Sequence, residues 1–85
     1  MYKMVRVVWK DIIRPTETWM FAEDLKTLQP AVIETVGWLV DTKDDQITIA
    51  SSLGDDGQIG DVNCIPRSVI TIIEPVASIG VETNE

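Results

Sequence analysis

A chain of 85 residues, 45% hydrophobic and 25% charged, has room for one small domain, and its composition is that of a folded module rather than a disordered one. It has no histidine and one cysteine, Cys64. That excludes an internal disulfide, the usual zinc sets and a Cys-His or Ser-His nucleophile pair, so the expectation is a non-enzyme without metal or cofactor and with Cys64 as a buried core thiol. The net charge of −7 opposes a nucleic-acid backbone. Most of the acids fall in turns (Asp44, Asp45, Asp55, Asp56, Asp61) or near the C-terminus, which leaves room for a basic face on the opposite side. No apolar run reaches bilayer length, and the opening Met-Tyr-Lys-Met-Val-Arg lacks the apolar core of a signal peptide, so no membrane segment is expected and the default compartment is the cytoplasm.

From Tyr2 to Trp9 the chain alternates Val5, Val7 and Trp9 with Met4, Arg6, Val8 and Lys10, the pattern of a first strand with one face buried and the other partly so. Trp9 is the expected core anchor. Asp11 to Thr18 reads as a loop because Pro15 removes a ladder donor. Trp19 to Leu28 is rich in helix formers, with Phe21, Leu25 and Leu28 on one face, and predicts about two turns of helix that Thr18 would cap and that would plug one mouth of a barrel. The competing reading is an irregular loop with Trp19 tucked under the sheet.

Ala31 to Ser51 is the organising stretch and reads as a β-hairpin. Its first arm is dense in β-branched residues, its turn is Lys43-Asp44-Asp45, and its second arm alternates Ile47 and Ile49 with polar neighbours. Gly37 interrupts the first arm and marks a bend or a close backbone approach. Leu53 to Gly60 is a turn in which Asp56-Gly57 suits positive φ. The spacing of a calcium loop is absent there, and Lys43 occupies a ligand position in the Asp41 cluster. Asp61 to Ile65 is a fourth strand, Pro66-Arg67-Ser68 a tight break and Val69 to Glu74 a fifth strand. Residues 1–75 form the expected domain and residues 76–85 an acidic, mobile tail. The fold class is mainly β: a five-stranded small open barrel with one short helix between strands 1 and 2.

Gly37, Leu39, Asp45, Ile47 and Ile49 resemble the first motif of the Sm-like proteins, in which a bent second strand carries a glycine and then a leucine, with an aspartate following before a hydrophobic-polar third strand. Pro66-Arg67-Ser68-Val69-Ile70-Thr71-Ile72-Ile73 is similar to the second motif as it stands in the bacterial RNA-chaperone branch. SH3 domains share the Ile-Pro break before a last strand. Val-x-Val-x-Trp with Gly-Trp-Leu-Val and Ile-Pro-Arg is also similar to short bacteriophage-encoded proteins.

The Sm-like resemblance implies a homo-oligomeric ring of about five to seven subunits, in which the fourth strand of one copy pairs with the fifth of the next. Val62, Cys64, Val69, Thr71 and Ile73 would form the subunit interface. It also implies RNA binding through the turns, which maps onto Asp45, Thr48 and Arg67, although Thr48 replaces the usual asparagine. Gln46 and Ile47 stand where an aromatic or methionine platform is expected. The alternative is an SH3-like interaction or structural module of a phage assembly, using Trp9, Trp19 or Trp38 as an aromatic groove. The carboxylate pair Glu23 and Asp24 gives little support to hydrolysis, since adjacent residues point in different directions.

Overall fold

The apolar alternation of the first strand decides where the core lies. In β1 (Lys3–Asp11), Val5 and Val7 face one side and are buried, while Val8 on the other side is buried as well. A strand covered on both faces must be central, and β1 is flanked by β2 (Ala31–Thr42) and β5 (Ile70–Pro75). The computed structural model describes residues 2–77. In them, β3 (Gln46–Leu53) and β4 (Ile59–Pro66) complete one antiparallel sheet of five strands in the order β4-β3-β2-β1-β5. The expected strands are present, with β4 beginning at Ile59 and β5 at Ile70. The sheet is not closed, since no pairing joins β4 to β5 among the described residues. Residues 78–85, most of the expected tail, lie outside the described part. Val76, placed in that tail by the sequence reading, still donates its N–H to the Met4 carbonyl at 3.0 Å.

Val5, Val7, Ile47, Ile49 and Ile65 form the core cluster, with Trp9, Leu39, Val69 and Ile70 packed around it. Trp9 is therefore at the border of the core rather than its anchor: it is half-buried, and its indole N–H donates to Thr35 Oγ1 at 3.0 Å. That partner keeps the one polar atom of the ring satisfied. On the opposite face of β1, Arg6 spans three strands, reaching Glu34 of β2 at 2.7 Å and Glu74 of β5 at 2.8 Å. The hydrogen bonds that Arg6 donates to Glu34 first and Glu74 second raise its pKa above its ordinary value. An arginine is charged at any working pH, so this tie has no pH dependence of its own from that side.

Gly37 sits where β2 meets β3. A Cβ at this position would lie 2.5 Å from the Ala50 carbonyl oxygen and 2.7 Å from Ile49 Cγ2, so the glycine is required by close approach of the neighbouring backbone. Between Leu39 and Asp41 the β2–β3 register shifts by one residue, a bulge that adds to the bend. In the turn to β4, Gly57 has φ of 91°, which fits the positive φ expected at Asp56-Gly57. Asp61, inside β4, has φ of 53°; aspartate is among the few side chains that visit this region.

Between β1 and β2 the expected short helix takes the 3-10 form and not the α form. This turn, Ala22–Thr27, has no buried residue, and Phe21 rather than Thr18 precedes it without a side-chain cap. Short of caps and contacts, so brief a segment cannot sustain an α-helix. It plugs nothing. Trp19 is 90% exposed, so it is not tucked under the sheet either. Because β3 pairs with β2 only from Trp38 onward and β5 reaches β1 only to Trp9, the pairs Lys10↔Val32 and Asp11↔Ala31 stand as a two-stranded arm that continues into residues 12–30. The molecule measures 59 × 30 × 22 Å with a radius of gyration of 17.3 Å, against about 11–12 Å for a compact chain of this size.

Two stability tests follow. Gly37→Ala should cost about 1–3 kcal/mol, as overpacking against fixed backbone does, whereas Gly60→Ala, whose Cβ would meet only Ser52 Cβ at 3.5 Å, should leave the urea midpoint nearly unchanged. Ile47→Ala in the core should cost about 2–5 kcal/mol, and Ile12→Ala, at a site 89% exposed, should not shift the transition.

Candidate functional site

The connection between β2 and β3 and the connection between β4 and β5 meet at one corner of the sheet. Lys43 opens the first turn, donating its N–H to the Gln46 carbonyl at 2.9 Å. A second 3-10 turn, Arg67–Val69, makes the other connection. Arg67 joins the two: its backbone N–H donates to the Asp45 carbonyl at 2.9 Å, and its side-chain Nε donates to the Lys43 carbonyl, also at 2.9 Å. The guanidinium thus spends one donor on fixing the turn and retains its terminal N–H groups. Asp45 and Arg67, both read from the sequence as binding residues, are brought together. Thr48 stands farther along β3, half-buried, in register with Asp41 on one side and Cys64 on the other.

The corner is not basic. Lys43 and Arg67 share it with three carboxylates of the β2–β3 connection and its flank, Asp41, Asp44 and Asp45, with Lys43 Nζ 3.9 Å from Asp41 Oδ2. Lys43 itself was missed as a contributor because its carbonyl, and not its charge, receives Arg67. No pattern of side-chain types encodes that. Among the described residues no group of three acidic or cysteine side chains is placed to hold a metal ion, and no helix is long and apolar enough to cross a membrane.

The sheet edges are the second feature. On β4, Val62 is 55% exposed and Cys64 is exposed. The buried-thiol expectation for Cys64 fails because the alternation of an edge strand sends Ile65 into the core and Cys64, in register with Thr48, to the other face. On β5, Ile72 and Ile73 are 45% and 42% exposed. Thr71 is exposed beside the β1–β5 register shift and donates its hydroxyl to the Val8 carbonyl at 3.1 Å. Val69 is not on the edge. It belongs to the 3-10 turn and packs against the core, because the turn that brings the chain from β4 to β5 needs an apolar foot. Ile72, omitted from the expected interface, has the same exposure as Ile73 and the same β-branched signal.

The three tryptophans do not make one groove. Trp9 pairs with Ile33 and shares the face of Val5 and Val7, Trp38 pairs with Met4 on the opposite face, and Trp19 lies on the arm beyond the sheet. Glu23 and Asp24 occupy the exposed 3-10 turn of that arm.

Compared with known proteins, the chain matches no family model, no curated protein and no solved structure.

Proposed function

We propose that the chain is a non-enzymatic building block of a homo-oligomeric ring, a small open barrel of the Sm-like kind in which β4 of one copy pairs with β5 of the next. The observation that carries this reading is the state of the two edges. Among the described residues, each presents an unpaired backbone ladder beside exposed β-branched side chains, Val62 on β4 and Ile72 and Ile73 on β5. An open, apolar strand edge is a template for another chain. Neither strand carries lysine, and the prolines Pro66 and Pro75 stand at the ends, where they leave the middle free to pair. Joining a first edge to a different second edge is a heterologous contact, which closes as a ring when the rotation permits.

In such a ring the corner holding Arg67 would be repeated once per subunit. The terminal guanidinium groups would then form a circle able to contact the phosphates or base edges of a single RNA strand, with Asp45 beside them and Thr48 farther along β3. The acidic neighbours make this contact weak and strongly dependent on salt.

Light scattering of the wild type should give a constant mass of several chains over a wide concentration range, and Val62→Lys, altering an exposed position, should reduce it while far-UV circular dichroism is unchanged. A wild-type monomer at all concentrations would sink the ring. In the assembled protein, Arg67→Ala should lower the affinity for a uridine-rich single-stranded RNA at low salt by roughly tenfold, the loss of one charge-assisted contact per site; equal binding by the variant would remove Arg67 from the interface.

A further inference from the structure

The arm formed by residues 10–32 has no counterpart in the ring reading and stands without it. Several of its large apolar side chains are exposed: Trp19 is 90% exposed, Phe21 76%, Ile12 89%, Leu25 53% and Val32 65%. Trp19, Met20 and Phe21 are consecutive, so a short segment projecting from the sheet cannot turn all three inward. Beside them the chain folds around a cleft of about 530 Å³ whose walls set Met20, Leu25 and Leu28 among Arg14, Glu17 and Thr18. A protruding aromatic pair and a cleft of mixed polar and apolar lining therefore occur on the same arm.

We infer that this arm is a self-association surface that docks onto the arm of a second copy about a twofold axis, with Trp19 and Phe21 of each entering the cleft of the other. Three observations select a second copy. A knob and a hole on one surface are self-complementary, which is what an isologous contact demands, since each residue pair then occurs twice. The exposed apolar side chains on all sides of the arm amount to on the order of 800 Å², given roughly 150–250 Å² for a fully exposed aromatic ring, so a standard interface of about 800 Å² per partner would have to enclose nearly all of the arm, as two interlocked arms can. Charge gives the third. Residues 10–32 contain three basic and four acidic side chains, a net of −1, so six of the seven net negative charges lie elsewhere. Arms meeting tip to tip join the most nearly neutral parts of two acidic molecules and hold the acidic sheets apart by more than a screening length of about 8 Å. A polyanion or an anionic lipid surface would find no excess of positive charge on this arm.

Sedimentation velocity on the full chain tests the pairing. Starting from Val62→Lys, which removes edge-strand association, the expected mass is that of two chains, and adding Trp19→Ser with Phe21→Ser should halve it; both residues are exposed, so circular dichroism should show the sheet intact. If Val62 plays no part in assembly, the same arm substitutions should still halve the mass of the wild type. Dilution of the Val62→Lys protein should also shift its tryptophan emission to longer wavelength as Trp19 becomes hydrated. Arm substitutions that leave the mass unchanged overturn the proposal, as does a Trp19-dependent emission shift on zwitterionic phosphatidylcholine vesicles in a protein whose mass does not respond to the arm.

Discussion

The fold depends on one short connection. In the sheet, β4 and β5 are the two outermost strands, and four strand spacings of about 4.8 Å would set them roughly 19 Å apart if the sheet were flat. Yet only Arg67–Val69 separates them in the chain, and a 3-10 turn advances about 2 Å per residue, so Pro66 and Ile70 are held within roughly 8 Å. The sheet must curl to satisfy this. Gly37 lets β2 lie against the Ala50 carbonyl, the bulge after Leu39 adds twist, and Arg67 pins the connection to the β2–β3 turn through the Asp45 and Lys43 carbonyls. The core is what that curl encloses.

Enclosure is partial, and the exposed features share that origin. Curling brings Ile47, Ile49 and Ile65 over Val5 and Val7, but it stops short of a β4–β5 ladder. Val62, Ile72 and Ile73 consequently remain outside the core, and among the described residues no polar side chain is buried. The tie of Arg6 to Glu34 and Glu74 works on the outer surface, where paired charges in solvent contribute little to stability. It fixes the spacing of β2, β1 and β5 more than it holds them together. Among the described residues, the edges and the arm carry most of the large exposed apolar side chains, with Val36 of β2 and Tyr2 outside them.

The strands were legible because their signals are local. Alternating valines in β1, Ile47 and Ile49 in β3, and the Asp56-Gly57 turn each specify backbone geometry without reference to the rest of the chain, and Gly37 announced a close approach that the Ala50 carbonyl makes. What the sequence did not disclose depends on neighbours. Helix formers between Ala22 and Leu28 lacked a surface to pack on, and propensity alone gave way to a 3-10 turn. Cys64 and Val69 exchanged expected places because burial on β4 and near β5 follows from which strands are edges. Of the candidate corner, Asp45 and Arg67 were readable as turn residues, while the role of Lys43 rests on a backbone carbonyl that no side-chain pattern reports. Asp61 in a left-handed conformation carried no signal beyond its residue type.

The pairing of β1 with β5 has a consequence for how the chain reaches this state. Val8 lies opposite Ile72, so the first strand waits for the last before its second ladder forms. The hairpins β1–β2, β2–β3 and β3–β4 join neighbours in sequence, and each closes a much shorter loop. Entropy therefore favours a meander of four strands before β5 docks, and such non-local closure is the slow step in small β proteins. During that interval the buried central strand of the finished sheet is itself an edge, with Val5, Val7 and Val8 open along one side.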